Sequence, residues 1–191
     1  MLKFNQSEEL PDVLWIVGKK FPDDRGYFCE SFRQSEFEQQ GLPPFVQENH
    51  SFSKPITFRG LHYQINPKAQ GKLVHCVSGE IWDYVVDIRK GSPTYGKHVK
   101  FFLNGEDITH FNMVYVPPGF AHGFYVTGMY PAHVVYKVTE YYSPQHEGSV
   151  RWDDPFLDIC KSDVEPMIIS DKDMNAPLLK DATNNFVYGA I

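Results

Sequence analysis

Hydrophobic positions in this chain recur mostly with a period of two, over a long central stretch. In Ile81-Trp82-Asp83-Tyr84-Val85-Val86-Asp87-Ile88, Trp82, Tyr84, Val86 and Ile88 share one face, while Ile81, Asp83, Val85 and Asp87 share the other. That alternation is the signature of a strand, whose successive side chains point to opposite faces. Val134-Val135-Tyr136-Lys137-Val138-Thr139 is a second β-branched run, and Met113-Val114-Tyr115-Val116 a third. The third is stopped by Pro117-Pro118-Gly119, which cannot continue a ladder. Gly79, Gly91-Ser92-Pro93, Asn104-Gly105 and Thr127-Gly128 are turn signals between the runs. Strand signals dominate from about residue 45 to residue 142, and short strands at this spacing predict a sandwich or barrel of antiparallel strands.

Helix signals are few. Ser35-Glu36-Phe37-Glu38 reads as a capping box with Gly41 as the stop, which predicts a short helix near residues 36–40. Ser170-Asp171-Lys172-Asp173 is a second possible helix start, and from Asn175 onward the chain reads as peripheral. No repeat or low-complexity segment interrupts the pattern, so residues 1–191 are expected to form a single domain.

Composition narrows the classes. Hydrophobic content of 42% and charged content of 22% are ordinary for a globular protein, but aromatic content of 15% is high. A net charge of −6 argues against a broad nucleic-acid surface. It leaves room for an anionic small substrate, because a pocket needs only a few local cations. Cys29, Cys76 and Cys160 are odd in number and widely spaced, which speaks against a disulfide scaffold or a zinc knuckle. Met1 to Glu9 lacks the basic start and apolar run of a signal peptide. No apolar stretch approaches the roughly 18 residues of a membrane span. A soluble cytoplasmic protein is the expectation.

Three segments carry candidate chemistry: Arg59-Gly60-Leu61-His62-Tyr63-Gln64, Gln70-Gly71-Lys72-Leu73-Val74 and Pro117-Pro118-Gly119-Phe120-Ala121-His122-Gly123-Phe124. A lone histidine among strands is more often a satisfied core or surface residue. His62 differs in having Arg59 three residues before it and Lys72 ten after. Neutral imidazole is the usual general base near neutral pH, and nearby cations keep it neutral. A metal reading competes. Pro-x-Gly-x-x-His resembles the second motif of the cupin superfamily, but the place of the first motif's His-x-His pair is taken by His62-Tyr63-Gln64. Two histidines alone make a poor metal site. No phosphate-loop pattern is present.

Taken together, these segments resemble the dTDP-4-dehydrorhamnose 3,5-epimerase family of rhamnose synthesis. The resemblance runs from about Phe21 to Asp173. It also rests on Asp24-Arg25-Gly26-Tyr27-Phe28, Phe45-Val46-Gln47-Glu48-Asn49-His50, Gly91-Ser92-Pro93-Thr94-Tyr95-Gly96, Tyr141-Tyr142-Ser143-Pro144 and Trp152-Asp153-Asp154. It implies a cupin-like antiparallel jelly-roll barrel, mainly β, with a few short peripheral helices. It also implies a homodimer, no metal and no cofactor, and a nucleotide-linked 4-keto-6-deoxy sugar as substrate. The implied reaction inverts C3 and C5 through an enolate. By resemblance His62 is the base, Asp173 its partner, Tyr136 the proton donor on the far face and Lys72 the group beside the enolate oxygen. Arg25, Gln47, Asn49, Arg59, His122 and Tyr142 match substrate-binding positions, with Tyr142 a weaker donor candidate and Asp83 a possible partner of His122. The family's N-terminal strands pack on the neighbouring subunit, so Arg25 is expected in the partner's site.

Without the resemblance, Asp173 reads as a helix-start acid, Tyr136 as a core aromatic and Lys72 as a solvated strand lysine. Phe58, His75, Pro118, the segment Thr127 to His133 and Asp158-Ile159-Cys160-Lys161 depart from the family pattern. The departures leave open a C3-only epimerase acting on another nucleotide-linked 4-keto sugar. A non-catalytic sugar-nucleotide binding protein and a metal-dependent cupin oxygenase are the readings from other classes.

Overall fold

The structure is a computed structural model that describes residues 2–159 and 168–189. The sequence segment 158–161 therefore lies partly outside the described residues, Cys160 with it. The first strands are β1 (Lys3–Gln6), β2 (Leu14–Lys19), β3 (Phe21–Asp23) and β4 (Gly26–Phe28), followed by the helix α1 (Gln34–Glu38). The central run comprises β5 (Gln47–Ser53), β6 (Phe58–Gln64), β7 (Lys72–Ser78), β8 (Glu80–Asp87), β9 (His98–Asn104), β10 (His110–Val116), β11 (Phe120–Val126) and β12 (Ala132–Val138). A short β13 (Glu147–Ser149) and the helix α2 (Asp171–Met174) complete the set used below.

Two antiparallel sheets face each other. One has the order β1-β2-β10-β7-β12-β5, the other β13-β6-β11-β8-β9. Strands distant in sequence are neighbours, as in a jelly roll, and the expected β-rich, cupin-like barrel is what forms.

The alternation in β8 has a direct structural meaning. Ile81 and Val85 enter the core between the sheets with Val74, Val114, Phe124 and Val134. Trp82, Tyr84 and Val86 enter a second cluster on the outside of the five-stranded sheet. Both faces of β8 are therefore covered, which explains why its outward positions are as apolar as its inward ones. A third cluster, around Phe37, Leu73, Phe111 and Tyr115, lies outside the six-stranded sheet.

Two local expectations need correction. Ser35 does not cap α1; the N-cap is Arg33, with no side-chain cap bond. Glu36 accepts from the Leu2 amide at 3.0 Å instead of reaching back to its own helix start. Packing decides this register, because Phe37 is fully buried and its ring meets Phe4, Phe32 and Phe45. The stop at Gly41 does form, with φ +76°. The tail after Asn175 is not peripheral. Leu179 and Phe186 are buried in the second cluster, and backbone bonds join Lys90 to Phe186 and Tyr188. The five-stranded sheet needs a cover for its apolar outer face, and the tail supplies it.

β1 and β2 pair within the chain's own six-stranded sheet. The hairpin β3–β4 pairs only with itself, and all its residues are exposed.

Candidate active site

The site is built where β6 and β11 run side by side. In their register His62 lies directly across from His122. Close approach of the two strands depends on glycine. Gly60 has φ +120°, and a Cβ there would lie 2.6 Å from Gly123 Cα and 2.8 Å from the His122 carbonyl. No other residue fits that spot without moving one strand. Strand alternation then separates neighbours: His62 lines a cavity, while the Tyr63 hydroxyl donates outward to the Thr183 carbonyl at 2.6 Å.

Asp173 arrives from the far end of the chain. The Ser170 side chain caps α2 by accepting from the Asp173 amide at 3.1 Å, as the sequence suggested. The Asp173 carboxylate meets His62 Nε2 at 2.6 Å through Oδ1 and accepts from the Gly60 amide at 3.3 Å through Oδ2. Burial pushes its pKa up, but the bonds from His62, Gly60 and Ser170, with the His62 charge, hold it below the ordinary value. Asp173 is therefore ionised at neutral pH. With Nε2 engaged by Asp173, Nδ1 is the nitrogen of His62 left for proton transfer.

Lys72 lies on the facing sheet. Its Nζ donates to the His62 carbonyl at 3.0 Å. Burial lowers its pKa to about 8, with the carboxylates of Asp83 and Glu147 limiting the fall. Tyr136 is on β12 of the same sheet. Burial raises its pKa, Arg59 counteracts this and Glu147 adds to it. The phenol is therefore protonated and able to donate.

His62, Lys72 and Tyr136 line a 460 Å³ cavity together with Arg59, His122 and Asp173. The same His62, Lys72 and Tyr136 also border a smaller cavity of 210 Å³, lined by Gln47, Asn49 and Tyr142. An imidazole from one sheet and a phenol from the other thus face a shared space. His122 Nε2 bonds Asp83 Oδ2 at 2.7 Å, and both are buried.

The substrate-binding candidates divide. Arg59 is fixed by bonds to Ser53 Oγ at 2.8 Å and the Phe52 carbonyl at 3.1 Å. Gln47 donates to Asn49 and accepts from the Tyr142 amide. Arg25 stands apart on the β3–β4 hairpin, paired with Asp23 and 89% exposed, away from its own chain's cavity. Among the described residues no three His, Cys, Asp or Glu side chains group to hold a metal ion.

Two charged cavity residues escaped the sequence reading. Lys172 lines the larger cavity and Glu147 the smaller, and they form an ion pair at 2.7 Å. Lys172 lies inside the capping segment and reads there as a solvated lysine. Glu147 is a single acid in a three-residue strand, too short to show a period.

A family model described as dTDP-4-dehydrorhamnose 3,5-epimerase matches residues 7–181. A dTDP-4-dehydrorhamnose 3,5-epimerase of Shigella flexneri is 46% identical over 176 residues, spanning 91% of this chain and 94% of its own. Among solved structures, the dTDP-6-deoxy-D-glucose-3,5-epimerase from Legionella pneumophila Philadelphia 1, in complex with dTDP-4-keto-L-rhamnose, is 39% identical with a TM-score of 0.86 over 94% of both chains. A 3'-monoepimerase from Streptomyces bikiniensis, in complex with dTDP-quinovose, is 34% identical with a TM-score of 0.76 over 87% of this chain and 84% of that one.

Proposed function

The chain belongs to the dTDP-4-dehydrorhamnose 3,5-epimerase family, and from that premise we propose that it converts dTDP-4-dehydro-6-deoxyglucose to dTDP-4-dehydrorhamnose. The ketone at C4 acidifies the hydrogens at C3 and C5. His62 removes one, and the imidazolium so formed is stabilised by Asp173. Lys72 supplies positive charge beside the enolate oxygen. Tyr136 returns a proton to the opposite face, which inverts the centre. No electrons are transferred overall. The observation that carries this reading is the common cavity between His62–Asp173 on one side and Lys72 and Tyr136 on the other.

Arg59, with Lys172, faces the diphosphate; guanidinium suits it because its fork is bidentate. Gln47, Asn49, His122 and Tyr142 contact sugar and base. Residues 1–191 act as one catalytic domain, as a homodimer in which Arg25 serves the partner's site. Support for the dimer comes from the bare hairpin, whose Phe21 and Phe28 are 59% and 72% exposed and need a cover. The protein works in the cytoplasm, a reading supported by the free thiols of Cys29 and Cys76; among the described residues no helix is long and apolar enough to cross a membrane. Inversion at C3 alone is the second reading. The 46% identity to a 3,5-epimerase, against 34% to a 3'-monoepimerase, favours both centres.

Proton exchange in heavy water is the test. Wild type is expected to place deuterium at C3 and at C5; deuterium at C3 alone supports the second reading, and none refutes both. His62→Ala is expected to lower exchange at both centres by roughly 10²–10⁴-fold while nucleotide affinity stays close to wild type. Tyr136→Phe should lose epimerised product more than first proton removal, and equal loss of both would contradict separate roles.

A further inference from the structure

Glu147 takes no part in the proton transfers above, yet it stands beside the groups that perform them. It pairs across β13–β6 with Gln64 and borders the smaller cavity with His62, Lys72 and Tyr136. One oxygen, Oε2, accepts from the Tyr142 hydroxyl at 3.1 Å and from the Lys172 ammonium at 2.7 Å. Lys172 is the immediate neighbour of Asp173, which holds His62. A single carboxylate therefore ties Tyr142 and α2 to the edge of β6.

We propose that Glu147 is a positioning residue of the epimerase site, which directs the Tyr142 proton away from the reacting carbons and holds Lys172 beside the anionic substrate. The inference rests on the function proposed above. Tyr142 donates to a carboxylate, so its proton is committed. The Tyr136 hydroxyl makes no protein hydrogen bond among the described residues and remains the donor. Geometry thus gives a physical reason for ranking Tyr142 below Tyr136 as the donor.

The charge of Glu147 has a second effect. It borders one cavity with His62 of β6, Lys72 of β7, Tyr136 of β12 and Tyr142, and pairs with Lys172 of α2. The other charges in this neighbourhood are Asp83, Asp173 and Arg59. Removing one negative charge from this set weakens the hold on protonated Lys72 and Lys172.

The experiment compares wild type, Glu147→Gln and Glu147→Ala in steady-state kinetics on dTDP-4-dehydro-6-deoxyglucose, with a pH profile, deuterium uptake and thermal unfolding. Glu147→Gln keeps the shape and removes the charge. It is expected to raise KM by about tenfold through a misplaced Lys172, and to move the alkaline limb of kcat to lower pH by roughly half a unit or more. Wild-type KM together with a wild-type limb, at unchanged Tm, overturns the assignment. So does a loss that follows Tm alone, with the folded fraction keeping the wild-type pH dependence. Absence of deuterium uptake by wild type is a different failure, which removes the epimerase reading and this inference with it.

Discussion

His62 and His122 face each other across two strands, and each is bonded to an aspartate, yet they are not equivalent. The His62 side chain is 30% exposed and its partner Asp173 5%, whereas His122 is 9% exposed and Asp83 not at all. A base must reach its substrate, so the more open pair is the one suited to proton removal. Lys72 sets an upper limit on the pH range. Its pKa, lowered by burial to about 8, keeps it charged at neutral pH and discharges it above that value. The expected outcome is a kcat that falls as pH rises through about 8, with no unfolding. Between that pKa and the roughly 10.4 of a free lysine, the unfolded chain binds more protons, so this group's contribution to stability rises with pH. A pH–rate profile recorded beside a Tm profile checks both signs; a kcat that stays level to about pH 9.5 would deny Lys72 its role.

At the scale of elements, the site depends on how closely β6 and β11 approach. Gly60 and Gly123 were visible in the sequence only as members of two motif segments. Their function is steric and becomes apparent when the two strands are paired. Gly60→Ala is expected to force the strands apart, because the new Cβ would meet backbone rather than a yielding side chain. Such strain costs on the order of 1–3 kcal/mol, and it also displaces the amide that bonds Asp173. Activity should therefore fall more steeply than Tm, measured on the same preparation. The two helices show how far local signals reach. Ser170 caps α2 as its sequence suggests, since nothing larger competes for that turn. Ser35 loses to Phe37, whose buried ring sets the position of α1. Burying an aromatic is worth about 1.5–3 kcal/mol, against about 1 kcal/mol for a cap.

The whole molecule brings together residues that are remote in sequence. His62 and Asp173 are 111 positions apart and within 2.6 Å. Asp173 is carried to the cavity by the C-terminal segment, which then continues over the outer face of the five-stranded sheet and buries Leu179 and Phe186. The sequence made this tail look peripheral because it lacks period-two patterning; its few apolar residues bind a surface rather than build a sheet. Phe186→Ala is expected to cost about 3 kcal/mol, lowering Tm by several degrees, with kcat of the folded protein close to wild type. An undiminished Tm would mean that the tail does not secure the sheet.

Strand alternation and turn residues were enough to specify a β-rich sandwich or barrel, and the motif segments to single out His62 beside Arg59 and Lys72, because period, turn chemistry and residue type are local properties of the chain; Tyr136 and Asp173 were nominated only through the family resemblance. The arrangement of these residues in one cavity, the bond from Tyr142 to Glu147 and the pairing of Glu147 with Lys172 were decided by the tertiary structure alone. Those relations are distances between strands on facing sheets, set by the close approach at Gly60 and Gly123 and by which apolar faces must be covered, and no single segment of the chain carries them.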